Sequence, residues 1–157
     1  MRRLTLLRHA KTERESTTGR DFDRALNHRG RGDAERMGKE IRELGLRFDW
    51  VLASPARRVI ETIEGANVAS HYDKRLYNAT RDDLIGIVRS AEDQVKSLLL
   101  VGHNPGFEQL AAFLTGRTIE EMPTGSLAEI EFSIAHWSEV EAGSGTLIRF
   151  VRPKLLV

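Results

Sequence analysis

Residues 97–106, with the sequence SLLLVGHNPG, set the pattern on which the fold of this chain is built. The first five of these residues form the most strand-like apolar run in the chain. The run stops at a glycine and His103, and the apolar residues that follow recur at helical spacing up to Gly116. A buried strand is therefore predicted to end beside a histidine and to lead directly into a helix.

The same order of strand, polar exit and helix recurs through the first 115 residues. The other strands predicted in this part of the chain are 3–8 and 48–53, with a short extended piece at 75–77. The other predicted helices are 27–44, one with Ser54 as N-cap and Pro55 in its first position, and one that opens after Thr80. Such alternation favours a largely parallel sheet with helices on both faces.

The C-terminal part of the chain has a different pattern. Residues 127–134 and 146–151 indicate two strands, and the Gly-Ser-Gly turn at 143–145 indicates an antiparallel hairpin. The segment 122–126 before the hairpin is interpreted as a turn. The predicted fold class is α/β: a three-layer α/β/α sandwich around a mostly parallel sheet, with the C-terminal hairpin at its edge. We expect one domain over residues 1–157.

Composition excludes several classes of protein. A formal charge of +1 in 157 residues argues against a general nucleic-acid binder or membrane-surface binder. The absence of cysteine excludes disulfides, thiolate nucleophiles and cysteine-based metal sites. The N-terminal apolar run, 4–7, is shorter than the roughly 7–15 apolar residues of a signal peptide, and no stretch approaches the roughly 20 of a membrane span. We therefore expect a cytoplasmic protein.

Three predicted strands end on residues that suit a phosphate ligand. Arg8 and His9 lie at the end of the first of these strands, Arg57 and Arg58 follow the second, and His103 follows the third. The carboxyl ends of parallel strands meet at one edge of a sheet, where α/β proteins bind ligands. Guanidinium groups match phosphate oxygens, and helix N-termini add free backbone N–H groups. The sequence therefore predicts a pocket for a phosphoryl dianion.

A histidine in such a pocket has a specific chemical use. A neutral imidazole can attack phosphorus and carry a covalent intermediate, while the arginines stabilise charge on the transferred group. The competing interpretation is a pair of histidine metal ligands. Arg8 and Arg58 would repel a divalent cation, and no carboxylate is fixed near both histidines, so we expect no metal and no other cofactor.

Four motifs resemble those of the histidine phosphatase superfamily, the group once named for phosphoglycerate mutase. The motifs, in chain order, are LRHA at 7–10, DRALNHRG at 23–30, SPARRVIET at 54–62 and VGHNP at 101–105. The second is similar to a segment of the small SixA-like phosphohistidine phosphatases. The resemblance runs from residue 3 to about 116, in the order and spacing of the family.

The resemblance implies roles for individual residues. His9 matches the residue that accepts the phosphoryl group, and Arg8, Arg58 and His103 match the groups that hold the phosphoryl oxygens. Arg24 matches a further pocket arginine of the SixA-like branch, although a surface position in a charged loop is an equal alternative.

One of these roles has an alternative residue, and one position departs from the family pattern. Arg57 is the alternative to Arg58, but the spacing from Pro55 favours Arg58. Glu61 stands where the family usually has glutamine, and we expect this difference to matter little to the chemistry.

The sequence leaves the general acid open. Only Asp82 and Asp83 lie in about the right part of the chain, and as helix-start residues after Thr80 they suit the helix dipole at least as well. An alkoxide leaving group needs a proton from an acid. A phosphorylated imidazole can carry that proton on its own second nitrogen, because the pKa of this nitrogen lies near that of histidine. A pocket without an acid therefore suits phosphohistidine better than phosphate esters.

Together these features predict a metal-independent phosphatase that forms a covalent phosphohistidine. By resemblance, its substrate is phosphohistidine on a protein such as a phosphotransfer domain. The alternatives are a small-molecule phosphomonoesterase of the same superfamily and a catalytically idle module that binds phosphate or a partner. Because no cap domain is evident between Thr62 and Ser97, the pocket is expected to be open, with the charged loop 11–23 as a docking rim. No nucleic-acid or membrane partner is expected.

Overall fold

The fold is organised around a six-stranded sheet in the strand order β3-β2-β4-β1-β5-β6. This description rests on a computed structural model in which residues 1–118 and 121–153 are described. The strands are β1 (Arg2–Arg8), β2 (Trp50–Ala53), β3 (His71–Tyr72), β4 (Ser97–Gly102), β5 (Leu127–Phe132) and β6 (Gly145–Val151). Neighbours among β3, β2, β4 and β1 are parallel, and β5 and β6 are each antiparallel to the strand before them in the sheet.

Four α-helices in the described part of the chain cover the sheet, two on each face. They are α1 (His28–Glu43), α2 (Arg57–Ala66), α3 (Arg81–Arg89) and α4 (Gly106–Thr115). Apolar residues of α1 and α2 pack with Leu7 and Leu99 on one face, and those of α3 and α4 pack with Leu6 and Leu98 on the other. The central strands are buried on both faces, which is why they are continuous apolar runs instead of alternating ones. The predicted three-layer sandwich and the C-terminal hairpin are confirmed.

Helices α1 and α2 approach each other closely at a glycine. A Cβ atom on Gly38 of α1 would lie 2.4 Å from the carbonyl oxygen of Ala66 in α2. This space admits only hydrogen, so the glycine is what allows the two helices to cover the same face of the sheet.

Two details of the predicted elements are wrong, for local reasons. Helix α2 begins at Arg57 with Ala56 as its N-cap, two residues later than the Ser54-Pro55 pattern predicts, because the backbone of Ala56 is extended with a ψ of 141°. The piece predicted to be extended at 75–77 is a 3-10 turn at Lys74–Leu76, held by the Asp73 carboxylate, which accepts from the backbone N–H of Arg75.

The register of the parallel strands brings their exits together. Arg8 pairs with Gly102 across β1 and β4, and Ala53 pairs with Val101 across β2 and β4. The residues that follow these pairs therefore emerge side by side at one edge of the sheet. Within residues 1–118 and 121–153, no helix combines the length and apolarity that a membrane span requires.

Candidate active site

A cavity of about 580 Å³ opens where β1, β2 and β4 end. Its ionisable lining residues are four cations and two histidines: Arg8, Lys11, Arg24, Arg58, His9 and His103. The remaining lining is neutral, and it includes Thr12, Asn78, Thr80, Gln109 and Thr124. No carboxylate lines the cavity among the residues that the structure describes. A pocket with this charge is complementary to a dianion such as a phosphoryl group.

His9 is held in one tautomer by the backbone carbonyl of the next residue, Ala10. Its Nδ1 lies 2.8 Å from the carbonyl oxygen of Ala10, and a carbonyl can only accept, so Nδ1 carries the proton. The backbone N–H of His9 donates to the carbonyl oxygen of Gly102 at 3.0 Å, which fixes the residue to the end of β4. Nε2 is therefore the nitrogen with the free lone pair, on a ring that is 6 % exposed.

The protonation of His9 is set by its surroundings. Burial lowers its pKa to about 3; the hydrogen bond to Ala10 opposes this less strongly, and His103, Arg58 and Arg8 each add a smaller lowering effect. The imidazole is therefore neutral at physiological pH, which is the form that a nucleophile at phosphorus needs.

His103 faces His9 across the site. The two ring centroids are 5.3 Å apart, and His103 Nε2 lies 2.8 Å from Ser54 Oγ. Burial lowers the pKa of His103 to about 4, with Arg58 acting in the same direction and Asp21 opposing it. Its Nδ1 is buried and has no hydrogen-bond partner within the described chain.

Arg58 is oriented by one acidic residue. Its Nη1 donates to the backbone carbonyl of Asp21 at 2.8 Å, and its Nη2 donates to the Asp21 carboxylate at 3.0 Å. The side chain is buried, and its Nε has no partner within the described chain. Arg57 instead points to the surface and pairs with Glu61 at 3.1 Å. The structure therefore brings Arg58, and not Arg57, to the cavity.

Asp21 connects three side chains of the site: Arg58, Tyr77 and Arg24. Its carboxylate also accepts from the Tyr77 hydroxyl at 2.8 Å and from Arg24 Nε at 2.9 Å. Arg24 in turn donates to Thr12 Oγ1 at 2.7 Å. Partial burial raises the pKa of Asp21, but the hydrogen bonds from Tyr77, Arg58 and Arg24 and the charge of Arg58 outweigh burial and lower it to about 2. Asp21 is therefore a permanent anion behind the pocket arginines.

Arg8 is anchored to the segment before β5. Its Nη1 donates to the carbonyl oxygen of Met122 at 2.8 Å, and its Nε is buried without a partner within the described chain. Glu108 of α4 fixes this segment by accepting from the Met122 N–H. Burial lowers the pKa of Arg8, while the charge of Glu108 opposes that effect. The segment interpreted as a plain turn, which includes Thr124, thus forms one wall of the cavity.

The two candidate acids lie outside the cavity lining. Asp83 accepts from the backbone N–H of Thr80 and completes a capping box with it at the start of α3. Asp82 is exposed and pairs with Arg81 at 3.2 Å. Both occupy the helix-start positions that the sequence offered as the alternative to a catalytic role.

Sequence reasoning missed three residues that shape this site. Ser54 was interpreted as a helix cap, whereas its hydroxyl bonds to His103. Asp21 and Tyr77 contact Arg58 from segments 37 and 19 residues away along the chain, so no local pattern pointed to them. The DRALNHRG resemblance starts two residues after Asp21, and the loop 11–23 was predicted only as a docking rim, so neither indicated a role for Asp21 at Arg58.

Comparison with known proteins agrees with this geometry. The sequence model of the histidine phosphatase superfamily (branch 1) matches residues 4–87. An uncharacterised protein of Mycobacterium tuberculosis is 32 % identical over 160 residues, which cover 94 % of this chain and all of that protein. A crystal structure from Agrobacterium tumefaciens, assigned as the phosphohistidine phosphatase SixA, is 29 % identical, with a TM-score of 0.83 over 97 % of this chain and 98 % of that one.

A second solved structure shows the same fold at lower identity. The protein histidine phosphatase SixA complexed with tungstate has a TM-score of 0.82 at 21 % identity, over 98 % of both chains. The family match covers more than half of the chain, and it includes the strand exits that carry His9 and Arg58. The chain therefore belongs to branch 1 of the histidine phosphatase superfamily, as a SixA-like phosphatase.

Proposed function

We propose that this protein removes phosphate from phosphohistidine on another protein, without a metal, through a covalent phosphohistidine at His9. The observation that carries this proposal is a cavity with a neutral histidine nucleophile, four cations and no carboxylate in its described lining. Three buried nitrogens around it lack partners within the described chain: Arg8 Nε, Arg58 Nε and His103 Nδ1. Buried polar groups are normally hydrogen-bonded, and phosphoryl oxygens would satisfy all three.

In the first step, the His9 Nε2 lone pair attacks phosphorus and the bond from phosphorus to the leaving group breaks. Arg8, Arg58 and His103 hold the equatorial oxygens, where such preorganised donors stabilise charge that develops in transfer. Arg24 adds a further positive charge at the pocket edge. In the second step, water attacks phosphorus and releases phosphate, which returns His9 to its neutral form.

The leaving group decides the substrate class. Without an acid in the described cavity lining, an alkoxide would have to leave without a proton, which is slow. Phosphohistidine protonated on its second ring nitrogen releases a neutral imidazole and needs no acid from the enzyme. The A. tumefaciens relative, assigned to phosphohistidine, supports the same choice. Asp82 and Asp83 have no part in this mechanism.

The charge of the cavity supports a reaction without a metal. Arg8 and Arg58 flank both histidines, and a divalent cation would be repelled there. Among the described residues, no group of three or more histidines, cysteines or carboxylates has an arrangement that could hold a metal ion. The arginines supply the charge neutralisation that a metal gives other phosphatases.

The test compares two substrates in the presence of EDTA. One is a phosphohistidine-bearing phosphotransfer protein and the other is p-nitrophenyl phosphate, with His9→Ala as the control. Rapid loss of phosphate from the protein substrate, abolished in the control, is the expected result. Turnover of the ester alone would move the substrate to a small phosphomonoester. No turnover of either, with phosphate still bound, would leave an idle binding module.

A further inference from the structure

A second hollow adjoins the phosphate pocket and differs from it in character. Its volume is about 590 Å³, and most of its surface is apolar. It is lined by Phe22, Pro55 and Tyr77 together with Arg20, Asp21 and Lys74. The mechanism proposed above uses none of its apolar residues.

Tyr77 lines the hollow and also contacts residues of the active site. One side of the ring packs edge-on against Phe22, with centroids 5.0 Å apart. The ring also lies 5.6 Å from the ring of His103, which lines the phosphate pocket. A group bound in the hollow would therefore be separated from the phosphoryl site by a single side chain.

Cationic side chains surround this hollow on the outer surface. Arg14 and Lys74 are exposed, and within the described residues no ion pair joins either one to a carboxylate. Arg20 lies over the Phe22 ring at 5.6 Å. A further cavity, lined by Arg14, Arg20 and Arg24 and by the carboxylates Glu15 and Asp21, connects the hollow to the phosphate pocket. It shares Arg20 and Asp21 with the first and Arg24 with the second.

We propose that the protein has a docking surface for an acidic protein segment next to the phosphohistidine. This surface consists of Arg14, Arg20, Phe22, Pro55, Lys74 and Tyr77. An apolar side chain beside the phosphohistidine enters the hollow, and carboxylates of the segment face Arg14, Arg20 and Lys74. This inference rests on the proposed function, since it names the kind of protein that brings phosphohistidine to the pocket. It adds a source of specificity that the phosphate pocket does not supply.

The composition of the surface favours a protein over a nucleic acid. Carboxylates of Glu15, Asp21 and Asp23 lie between the cations, and they would repel a continuous run of phosphodiesters. Three of the six residues that line the hollow are apolar, and they offer an apolar side chain a surface to pack against. A protein segment can alternate acidic and apolar side chains to match this pattern, whereas a nucleic-acid backbone cannot.

The test uses short peptides that carry a phosphonate-triazole in place of phosphohistidine, a group that the enzyme cannot hydrolyse. One peptide has glutamates and a leucine next to the analogue, a second has glutamates and a glycine, and a third has lysines and a leucine. Dissociation constants are measured at moderate salt, and orthovanadate is added to show whether each peptide occupies the phosphate pocket.

Matched variants distinguish binding at this surface from a general effect of the protein's net charge. Arg14→Glu/Lys74→Glu reverses two charges beside the hollow, and neither side chain makes a described ion pair. Arg47→Glu/Lys96→Glu makes the same change in charge just before β2 and β4, at the opposite edge of the sheet. We expect the wild type to bind the glutamate-leucine peptide about tenfold more tightly than the lysine peptide, and several-fold more tightly than the glycine peptide.

Arg14→Glu/Lys74→Glu should lose the preference for the glutamate peptides over the lysine peptide, while Arg47→Glu/Lys96→Glu should keep it. If vanadate displaces all three peptides and their affinities are equal, the docking surface is wrong and the proposed function stands. If vanadate displaces none of them, the proposed function fails and the docking surface fails with it. Displacement of the acidic peptide by a mixed-sequence oligonucleotide would assign the surface to nucleic acid and overturn the proposal.

Discussion

Ser54 and His103 are joined by a hydrogen bond of 2.8 Å between Oγ and Nε2, which links the exits of two neighbouring strands. Ser54 Oγ also accepts from the backbone N–H of Ala56 at 3.3 Å. A hydroxyl that accepts one hydrogen bond can donate its own proton to His103 Nε2. The ring proton then resides on Nδ1, the nitrogen without a described partner, so a neutral His103 can still donate to a phosphoryl oxygen.

Ser54→Ala tests this arrangement. We expect kcat/KM to fall about fivefold, because the loss of one hydrogen bond costs about 1 kcal/mol and frees the tautomer of His103. Nitrogen-15 NMR of the ring should show Nδ1–H in the wild type and a mixture of tautomers in the variant. Ser90→Ala, which removes a hydroxyl that bonds only within α3, is the control. An unchanged tautomer in Ser54→Ala would contradict this assignment.

Asp21 is expected to position Arg58 for phosphate binding without contacting the phosphate itself. Asp21→Ala removes the acceptor that fixes the guanidinium group, so KM for p-nitrophenyl phosphate should rise about tenfold with a smaller change in kcat. Asp21→Asn keeps one acceptor oxygen and should show a smaller rise. Asp23→Asn alters a nearby carboxylate that bonds to Thr18 and serves as the control. Equal KM values for wild type and Asp21→Ala would refute this role.

The buried histidines predict how stability depends on pH. The pKa of His9 is about 3 in the folded protein and about 6.5 when unfolded, so between these values only the unfolded chain binds the proton. The free energy of unfolding therefore rises with pH between these two pKa values, and the contribution of His9 is fully present above them. From pH 7 to pH 5 the wild type should lose about 2 kcal/mol more than His9→Ala, measured by urea unfolding. Parallel losses in the two proteins would show that His9 titrates normally.

The close approach of α1 and α2 predicts a sharp difference between two glycines. Gly38→Ala places a Cβ atom 2.4 Å from the carbonyl oxygen of Ala66, and separating the helices should cost about 1–3 kcal/mol. Gly86 lies in α3, where a Cβ atom would meet nothing within 4 Å, so Gly86→Ala should stabilise the protein by about 0.5–1 kcal/mol. Thermal unfolding of both variants checks the signs. Equal melting temperatures would contradict the packing described for α1 and α2.

The parts of the site that the sequence could predict lie at strand exits. Arg8, His9 and His103 directly follow or end buried apolar runs, and parallel strands must bring such exits to one edge. The spacing from Pro55 favoured Arg58 over Arg57 as the phosphate-binding arginine. The same logic predicted the three layers, because fully buried strands require helices on both faces.

Other parts of the site depend on contacts that no local pattern records. Asp21 reaches Arg58 from a loop that reads only as charged, and Met122 reaches Arg8 from the far end of the chain. Ser54 was misread because Ser-Pro is a common helix start, and the tertiary bond to His103 competes with that local preference. The partners of these residues are determined by packing between elements, which cannot be predicted from residue type and spacing.

The most direct test of the central claim is to trap the covalent intermediate. The protein is mixed with a phosphohistidine-bearing phosphotransfer protein in EDTA, quenched in alkali within milliseconds and digested for mass spectrometry. A nucleophilic His9 predicts an acid-labile phosphate on the peptide that contains His9, and none on that peptide in His9→Ala. Phosphate on another residue, or turnover that persists in His9→Ala, would contradict it.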